Sequence, residues 1–305
     1  MQWNATAKKC ATALIPMQTT ATSLRVATSI AETRDAVAQA RADGARIGFV
    51  PTMGALHAGH LSLVARSRKE TDFTVMSIFV NPLQFAPTED LSRYPRPVEQ
   101  DERLALEAKV DLVFRPSVEE MYPPDRTITV TAGALGKDWE GSSRPGHFDG
   151  VLTVVAKLFN IVQPDIAVFG RKDLQQAALV TALVRDLDMP LEIVLSPIVR
   201  ESDGLALSSR NRYLSADERR RATVLSRALR EVAARYAKGE TDIDALEQAG
   251  RSVLAKEPDV KPDYFAVIDQ TTFKRPSIAS DASSAIAAAR VGKTRLIDNI
   301  SLASE

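Results

Sequence analysis

Short apolar runs rich in β-branched residues alternate with helix-period segments through the middle of this chain, and no other feature limits its fold as strongly. The runs are Ile47 to Val50, Thr74 to Val80, Asp111 to Phe114, Ile166 to Phe169 and Leu191 to Leu195. Their near-continuous hydrophobicity predicts strands buried on both faces. Between them, Val151, Leu152, Val154, Val155, Leu158, Phe159 and Val162 keep to one face at the 3.6-residue period. A second helical pattern runs from Asp173 towards Asp186, with Leu174, Ala177, Ala178, Leu183 and Val184 on its apolar side. Strands alternating with helices predict an α/β fold with a Rossmann-like parallel sheet covered on both faces.

The pattern changes near Pro197. Ser215-Ala216-Asp217-Glu218 has the form of a capping box, opening an Arg- and Ala-rich helix expected to run to about Lys238. Gly239 stops it, a second helix is expected from about Asp242 to Glu257, and Tyr264 to Ile268 reads as a strand. Ala285 to Val291 and Thr294 to Ile300 flank Gly292-Lys293, which suits a two-residue hairpin turn. The expected organisation is a Rossmann-like unit over 25–198 and a smaller α+β unit over 199–305. Residues 1–24 are set apart, because they hold no acidic residue, are rich in Ala and Thr, and contain Lys8 and Lys9 but no Arg. They suit either a targeting peptide or a disordered extension from an upstream start, with Met17 as an internal start. The missing apolar core favours the extension.

Composition matters here for what it excludes. Lys plus Arg and Asp plus Glu each total 39, so the formal net charge is zero. That balance speaks against a nucleic-acid partner, whose binding rests on a basic footprint over phosphates. The single cysteine, Cys10, permits no intrachain disulfide and no cysteine-built zinc site, which fits a reducing, cytoplasmic setting. No run approaches the roughly 20 apolar residues of a membrane span.

The strongest chemical signal is Pro51-Thr52-Met53-Gly54-Ala55-Leu56-His57-Ala58-Gly59-His60, between a strand and a helical pattern beginning near Leu61. Ligands of open parallel sheets bind beyond the carboxyl ends of the strands, and a following helix turns its free N–H groups towards phosphate. Gly54 and Gly59 let backbone approach a ligand closely. His57 and His60 can donate to phosphate oxygens as charge grows in a transition state. A pair of ordinary core histidines or a zinc site are the competing readings. Two of only three histidines share this turn, which argues against the first, and zinc lacks further ligands beyond His147.

Three further segments carry polar groups at expected strand ends or at the unit junction. Asn81-Pro82-Leu83-Gln84 offers neutral amides suited to a hydroxyl and a carboxylate, although an Asn-Pro turn explains it equally in isolation. In Gly170-Arg171-Lys172-Asp173-Leu174-Gln175-Gln176, Lys172 supplies a point charge. Asp173 could cap the helix, hold a ribose hydroxyl or join a magnesium shell. Val199 to Asn211 contains Leu207-Ser208-Ser209-Arg210, whose hydroxyls and guanidinium suit phosphate, or else forms a solvated linker. Arg144 to Val151 reads as a loop feeding the long helix, with His147 more structural than catalytic.

The first motif resembles the His-x-Gly-His signature of the nucleotidyltransferase superfamily, and its longer string is similar to that of the pantothenate synthetase family. The later motifs follow in the family's order, so the resemblance spans roughly Thr28 to Ile300. It implies an AMP-forming carboxylate–amine ligase that condenses pantoate with β-alanine through a pantoyl-adenylate, using ATP and Mg2+, in a homodimer. By the resemblance, ATP meets Met53 to His60, Gly170 to Asp173, Val199 and Leu207 to Arg210, with no role assigned to the Arg171 side chain. His57, His60, Lys172 and Arg210 are the implied catalytic groups, Asn81, Gln84 and Gln176 the implied substrate ligands, and the 199–305 unit closes the site. The competing functions are another small-molecule nucleotidyltransferase, a tRNA-binding module disfavoured by zero net charge, and an NAD-dependent oxidoreductase. No Gly-x-Gly-x-x-Gly follows a strand, which disfavours the last.

Overall fold

The computed structural model describes residues 24–87, 89 and 91–303. Residues 1–23, and with them the targeting and extension readings, lie outside the described residues. Six strands form the larger sheet: β1 (Val26–Ala27), β2 (Ile47–Thr52), β3 (Phe73–Ile78), β4 (Leu112–Phe114), β5 (Ile166–Gly170) and β6 (Glu192–Ser196). Every pairing is parallel, in the order β1-β4-β3-β2-β5-β6. Seven helices accompany them among the described residues: α1 (Ile30–Ala42), α2 (Ala58–Glu70), α3 (Val98–Glu107), α4 (Val118–Met121), α5 (Glu140–Ser143), α6 (His147–Val162) and α7 (Leu174–Asp186).

Both faces of the sheet are buried, and alternate residues of one strand serve opposite cores. Phe49, Val75, Ala167 and Phe169 pack with Leu152, Val155 and Phe159 of α6 and with Val180 of α7. Val50, Met76, Ile166 and Val168 point the other way, onto Leu63 and Val64 of α2 and Ala105 of α3. This is the period-2 alternation of a strand realised with apolar residues on both sides. The chain leaves β2 for β3 on one side and returns to β5 on the other. The carboxyl ends of β2 and β5 therefore flank the point where strand order reverses, the crevice in which open α/β sheets bind ligands.

The smaller unit comprises α8 (Ala216–Ala222), α9 (Val224–Tyr236), α10 (Ile243–Leu254) and an antiparallel sheet of β7 (Val260–Asp269), β8 (Ser283–Val291) and β9 (Thr294–Ser301). One face of that sheet, with Phe265, Val267 and Ala287, covers Leu225, Leu229 and Leu246 of the helices. The other face, with Ala266, Ile268 and Ile286, packs against Leu174 and Ala178 of α7 and against Trp139. The smaller unit is thus seated beside the helix that follows β5.

Several expected boundaries shift. The single helix expected from Ser215 is two, because Thr223 takes φ −62°, ψ −15° and turns its hydroxyl onto the Arg220 carbonyl at 2.7 Å. The capping box at Ser215 and Glu218 forms as expected. The hairpin at Gly292-Lys293 also forms, with Val291 opposite Thr294. The run ending at Val80 leaves the sheet at Ile78, where the Asn81 turn begins.

Candidate active site

The loop leaving β2 is held from below. Gly54 and Ala55 adopt left-handed φ of 79° and 50°, which aims two successive amides in one direction. The Asp101 carboxylate of α3 receives both, from Ala55 N and Leu56 N at 2.8 Å each. Asp101 is 1% exposed, and its burial holds the carboxyl above the usual aspartate range against the pull of those two bonds. The Thr52 hydroxyl donates to Ser77 O at 2.7 Å and accepts from Gly54 N at 3.1 Å, so the loop is fixed at its root.

His57 then caps α2, which starts at Ala58 rather than near Leu61, and its Nδ1 accepts from Gly59 N at 3.2 Å. A Cβ on residue 59 would lie 2.9 Å from the His57 ring, so only glycine fits beneath it. The bond to Nδ1 leaves the His57 proton on Nε2 when the ring is neutral. His60 stacks on His57 with ring centroids 4.0 Å apart and planes 21° apart. Burial, then the Lys172 and Arg212 charges, lower the His57 pKa to about 4. Burial, then His57 itself, lower that of His60 to about 3. Both rings are therefore neutral donors at ordinary pH. Among the described residues, the buried His60 Nδ1 has no hydrogen-bond partner.

Asn81 and Gln84 take unequal parts. Asn81 is 1% exposed, donates to Gln84 Oε1 and Gly150 O at 3.0 Å each, and accepts from the Tyr122 hydroxyl at 2.8 Å. Its amide is committed within the protein, so its geometry suits holding Gln84 in place more than meeting substrate. Gln84 turns its Nε2 to Met53 Sδ at 3.1 Å. Gly150 makes the approach possible, since a Cβ there would lie 2.1 Å from Leu83 O.

Arg144 and His147 brace the same turn. Arg144 pairs with Glu89 through two bonds of 2.6 and 2.8 Å, and its Nη1 lies 3.0 Å from His147 Nε2. His147 Nδ1 is 2.9 Å from Gln84 O, an acceptor, so the ring carries its proton on Nδ1 and accepts from Arg144. Burial, then Arg144, lower the His147 pKa to about 4. The folded state disfavours the charged ring, so between pH 6.5 and 4 the unfolded chain binds more protons, and stability falls as pH falls through that window. The limiting slope is about 1.4 kcal/mol per pH unit for each such histidine. Melting temperatures measured from pH 7 to 4.5 should decline, and less steeply in His147→Gln; equal slopes would contradict this assignment.

At the end of β5, Lys172 Nζ lies 3.9 Å from Asp173 Oδ1. Asp173 makes no capping bond to α7, which removes the helix-cap reading and leaves its half-exposed carboxylate facing a cavity. Gln175 points inward and secures the 134–140 segment through Glu140 N, Leu135 O and Asp138 O. From the smaller unit, Leu207 N donates to Val199 O at 3.0 Å, and Arg200 bridges Ala206, so residues 199–207 form a tight hairpin rather than a loose linker. Ser208 caps the following turn by accepting from Arg210 N at 3.2 Å.

These elements enclose two adjoining cavities. The smaller, about 230 Å³, brings together Met53, His57, Gly59, His60, Asn81, Gln84, Gly170, Lys172, Asp173 and Gln176 with Val199, Leu207, Ser208, Ser209 and Arg210. The larger, about 870 Å³, is lined by residues of β8 and β9 and of the 140–148 and 172–176 segments, and shares Arg144, His147, Lys172, Asp173, Gln176, Ser208 and Arg210 with the smaller. Gly54, Ala55, Leu56, Ala58 and Arg171 line neither. Gly54, Ala55 and Leu56 are buried over Asp101, Ala58 is exposed, and the Arg171 carbonyl is turned to Asn299. Their expected contact with nucleotide stands as an expectation, carried by backbone that the loop's anchors hold in place. Sequence reading missed Asp101, the Glu89 partner of Arg144, and Asn299. Only Asp101 left a trace, as a carboxylate sharing the buried face of a helix with Ala105.

Comparison with known proteins agrees with this geometry. A family model described as pantoate-beta-alanine ligase matches residues 25–301. The chain is 54% identical over 290 residues to the pantothenate synthetase of Acidobacterium capsulatum, covering 92% of this chain and 97% of that protein. It is similar to the crystal structure of pantothenate synthetase from Thermus thermophilus, with TM-score 0.88, 47% identity, and 92% and 100% of the two chains covered. A Francisella tularensis pantoate-beta-alanine ligase, described as complexed with beta-gamma ATP and beta-alanine, superposes with TM-score 0.76 at 32% identity, covering 92% of this chain and 99% of that one. A strand-end histidine pair, a clamped loop beneath it and a likeness of this order over residues 25–301 converge on one assignment: the chain belongs to the pantoate–β-alanine ligase family.

Proposed function

We propose that this chain condenses pantoate with β-alanine to give pantothenate, converting ATP to AMP and pyrophosphate by way of a pantoyl-adenylate. The observation that carries this reading is the single small cavity in which neutral histidine donors, two glutamines and the Lys172–Arg210 pair converge. A carboxylate does not react with an amine at neutral pH, because its oxygen is a poor leaving group. Adenylation supplies a better one.

In the first step a pantoate carboxylate oxygen attacks the α-phosphorus, the bond to the β-phosphate oxygen breaks, and pyrophosphate leaves. Charge grows on the α-phosphate oxygens, where His57 Nε2–H and the His60 ring are placed to donate without having to lose a full charge from water first. Lys172 and Arg210 hold the outgoing phosphates. Gln84 and Gln176 orient the acid by its oxygens, while Phe79, Val151, Val155 and Leu158 line the cavity with apolar surface suited to pantoate's two methyl groups. In the second step the free amine of β-alanine attacks the acyl carbon, AMP leaves, and the nitrogen gives up its proton.

Magnesium, when bound, neutralises phosphate charge, and Asp173 is the carboxylate of this cavity placed to join its shell. No cluster of three candidate metal ligands occurs among the described residues, which fits an ion held chiefly by substrate oxygens. Zero net charge and the single cysteine support a cytoplasmic enzyme of small molecules, without a nucleic-acid partner. No helix among the described residues is long and apolar enough to cross a membrane. Family likeness supports a homodimer and closure of the 199–305 unit over the 25–198 unit. Closure would shield the adenylate from water.

The purified protein is expected to catalyse pantoate-dependent exchange of radiolabelled pyrophosphate into ATP with β-alanine omitted. Absence of exchange, in a preparation that still makes pantothenate, would rule out the adenylate route.

A further inference from the structure

The turn that carries Lys172 is weakly held by its own residues. Neither Gly170, before the short helical turn Arg171–Asp173, nor Asp173, before α7, supplies a side-chain cap. Support comes instead from the far end of the chain. Asn299 of β9 is 5% exposed and donates through Nδ2 to Arg171 O at 3.0 Å and to Lys172 O at 2.9 Å. An amide NH2 has two protons, so both are committed to this one turn.

Asn299 is itself fixed. Its backbone N–H donates to Asp298 Oδ1 at 2.8 Å, and Asp298 is 4% exposed. Arg200 grips the Asp298 carboxylate with two bonds of 2.7 and 2.9 Å and reaches Asn299 O at 3.1 Å. Arg200 belongs to the hairpin that leads into Ser208 and Arg210. One buried network therefore ties β9, the Lys172 turn and the Arg210 loop together. Of its three polar side chains, Asp298 and Asn299 lie outside the motifs singled out in the sequence, and Arg200 lies within the Val199 to Asn211 segment.

We propose that Asn299 is a positioning residue for Lys172, locking its turn to the smaller unit so that the Lys172 ammonium and Arg210 are set at one spacing. The proposal rests on the reading of Lys172 as a phosphate ligand. A displacement of about 1 Å at a reacting group can cost on the order of 10²-fold in rate. Asn299→Ala removes both donors, leaves two carbonyls without their partner, and is expected to lower kcat/KM for ATP in the exchange reaction by roughly 10- to 100-fold.

The test is a double-mutant cycle on the full-length enzyme, with wild type, Lys172→Ala, Asn299→Ala and the double variant assayed at a temperature where each is folded by circular dichroism. If Asn299 acts through Lys172, Asn299→Ala costs little further in the Lys172→Ala background. Independent, multiplying losses overturn the proposal and leave the phosphate reading intact. Full activity in Lys172→Ala overturns the phosphate reading and this proposal together.

Asn299→Asp supplies a second readout that a purely structural role would not move. An ionised carboxylate cannot donate to Arg171 O and Lys172 O, whereas a protonated one restores one bond. The charged groups around the position are Asp298 on β9, Arg200 from the hairpin, and Arg171, Lys172 and Asp173 from the turn. Their own titration cancels when each rate is divided by that of Asn299→Ala. That ratio should rise several-fold as pH falls from 7.5 to 5.5, and a flat ratio would count against a donor role.

Discussion

Replacing His57 with alanine is expected to slow pantoate-dependent ATP–pyrophosphate exchange by about 10²- to 10³-fold, the cost of one lost donor to developing charge. The expectation follows from a constrained ring. His57 Nδ1 is occupied by Gly59 N, its ring stacks on His60, and the residue lines the small cavity. His60→Ala should cost a similar factor. The double variant should lose much less than the product of the two, because stacked rings support one another's placement. Desolvation lowers these pKa values to about 4 and 3, so the pair stays neutral through the range of assay. The rate profile should therefore show no acid limb centred near pH 6.5. A rate that falls as pH rises through about 6.5 in wild type, and does not in His57→Ala, would show a protonated imidazole at work and reject neutral donation. A near-normal exchange rate in His57→Ala would reject the role altogether.

The second large effect belongs to a residue that touches no substrate cavity. Asp101→Ala should destabilise the protein by about 3 kcal/mol and cut exchange activity on the order of 10²-fold. Two buried amides, Ala55 N and Leu56 N, lose their acceptor, and each unsatisfied buried group costs about 1–3 kcal/mol. The same two residues end at His57, so the loop that loses its anchor is the loop that aims the ring. Asp101→Asn is the sharper probe, since it keeps the volume but turns an NH2 towards one of the two N–H groups. Urea denaturation reports the stability change, and exchange kinetics report the aim of the ring. Wild-type values for both in Asp101→Ala would show that the loop holds its left-handed turn unaided.

The two clamps explain why part of the site was legible and part was not. The His57 loop, the Lys172 turn and the Ser208–Arg210 segment each lie beside a strand or helix whose period is visible locally. Their placement at strand ends follows once the parallel sheet is inferred. Asp101 meets its loop across 45 and 46 residues, and Asn299 meets its turn across 127 and 128. A contact between such distant positions leaves no mark in either local pattern. Asn81 shows what residue type alone leaves open. A neutral amide suits a ligand and an internal bracket equally well, and only the structure shows that Asn81 lines the small cavity while its amide makes four polar contacts within the protein.

Periodicity and residue chemistry along the chain were enough to establish the α/β class, the change of architecture near Pro197 and the grouping of chemical motifs at strand ends, because those properties are written within single elements. The pairing of faces was settled only when the elements packed. Which polar groups open onto the cavity and which are consumed holding it, whether His57 and His60 are charged, and how β9 reaches the Lys172 turn all depend on burial and on contacts between segments far apart in sequence. Hydrogen-bond partners and desolvation exist only in three dimensions, and they assigned each of these side chains its part.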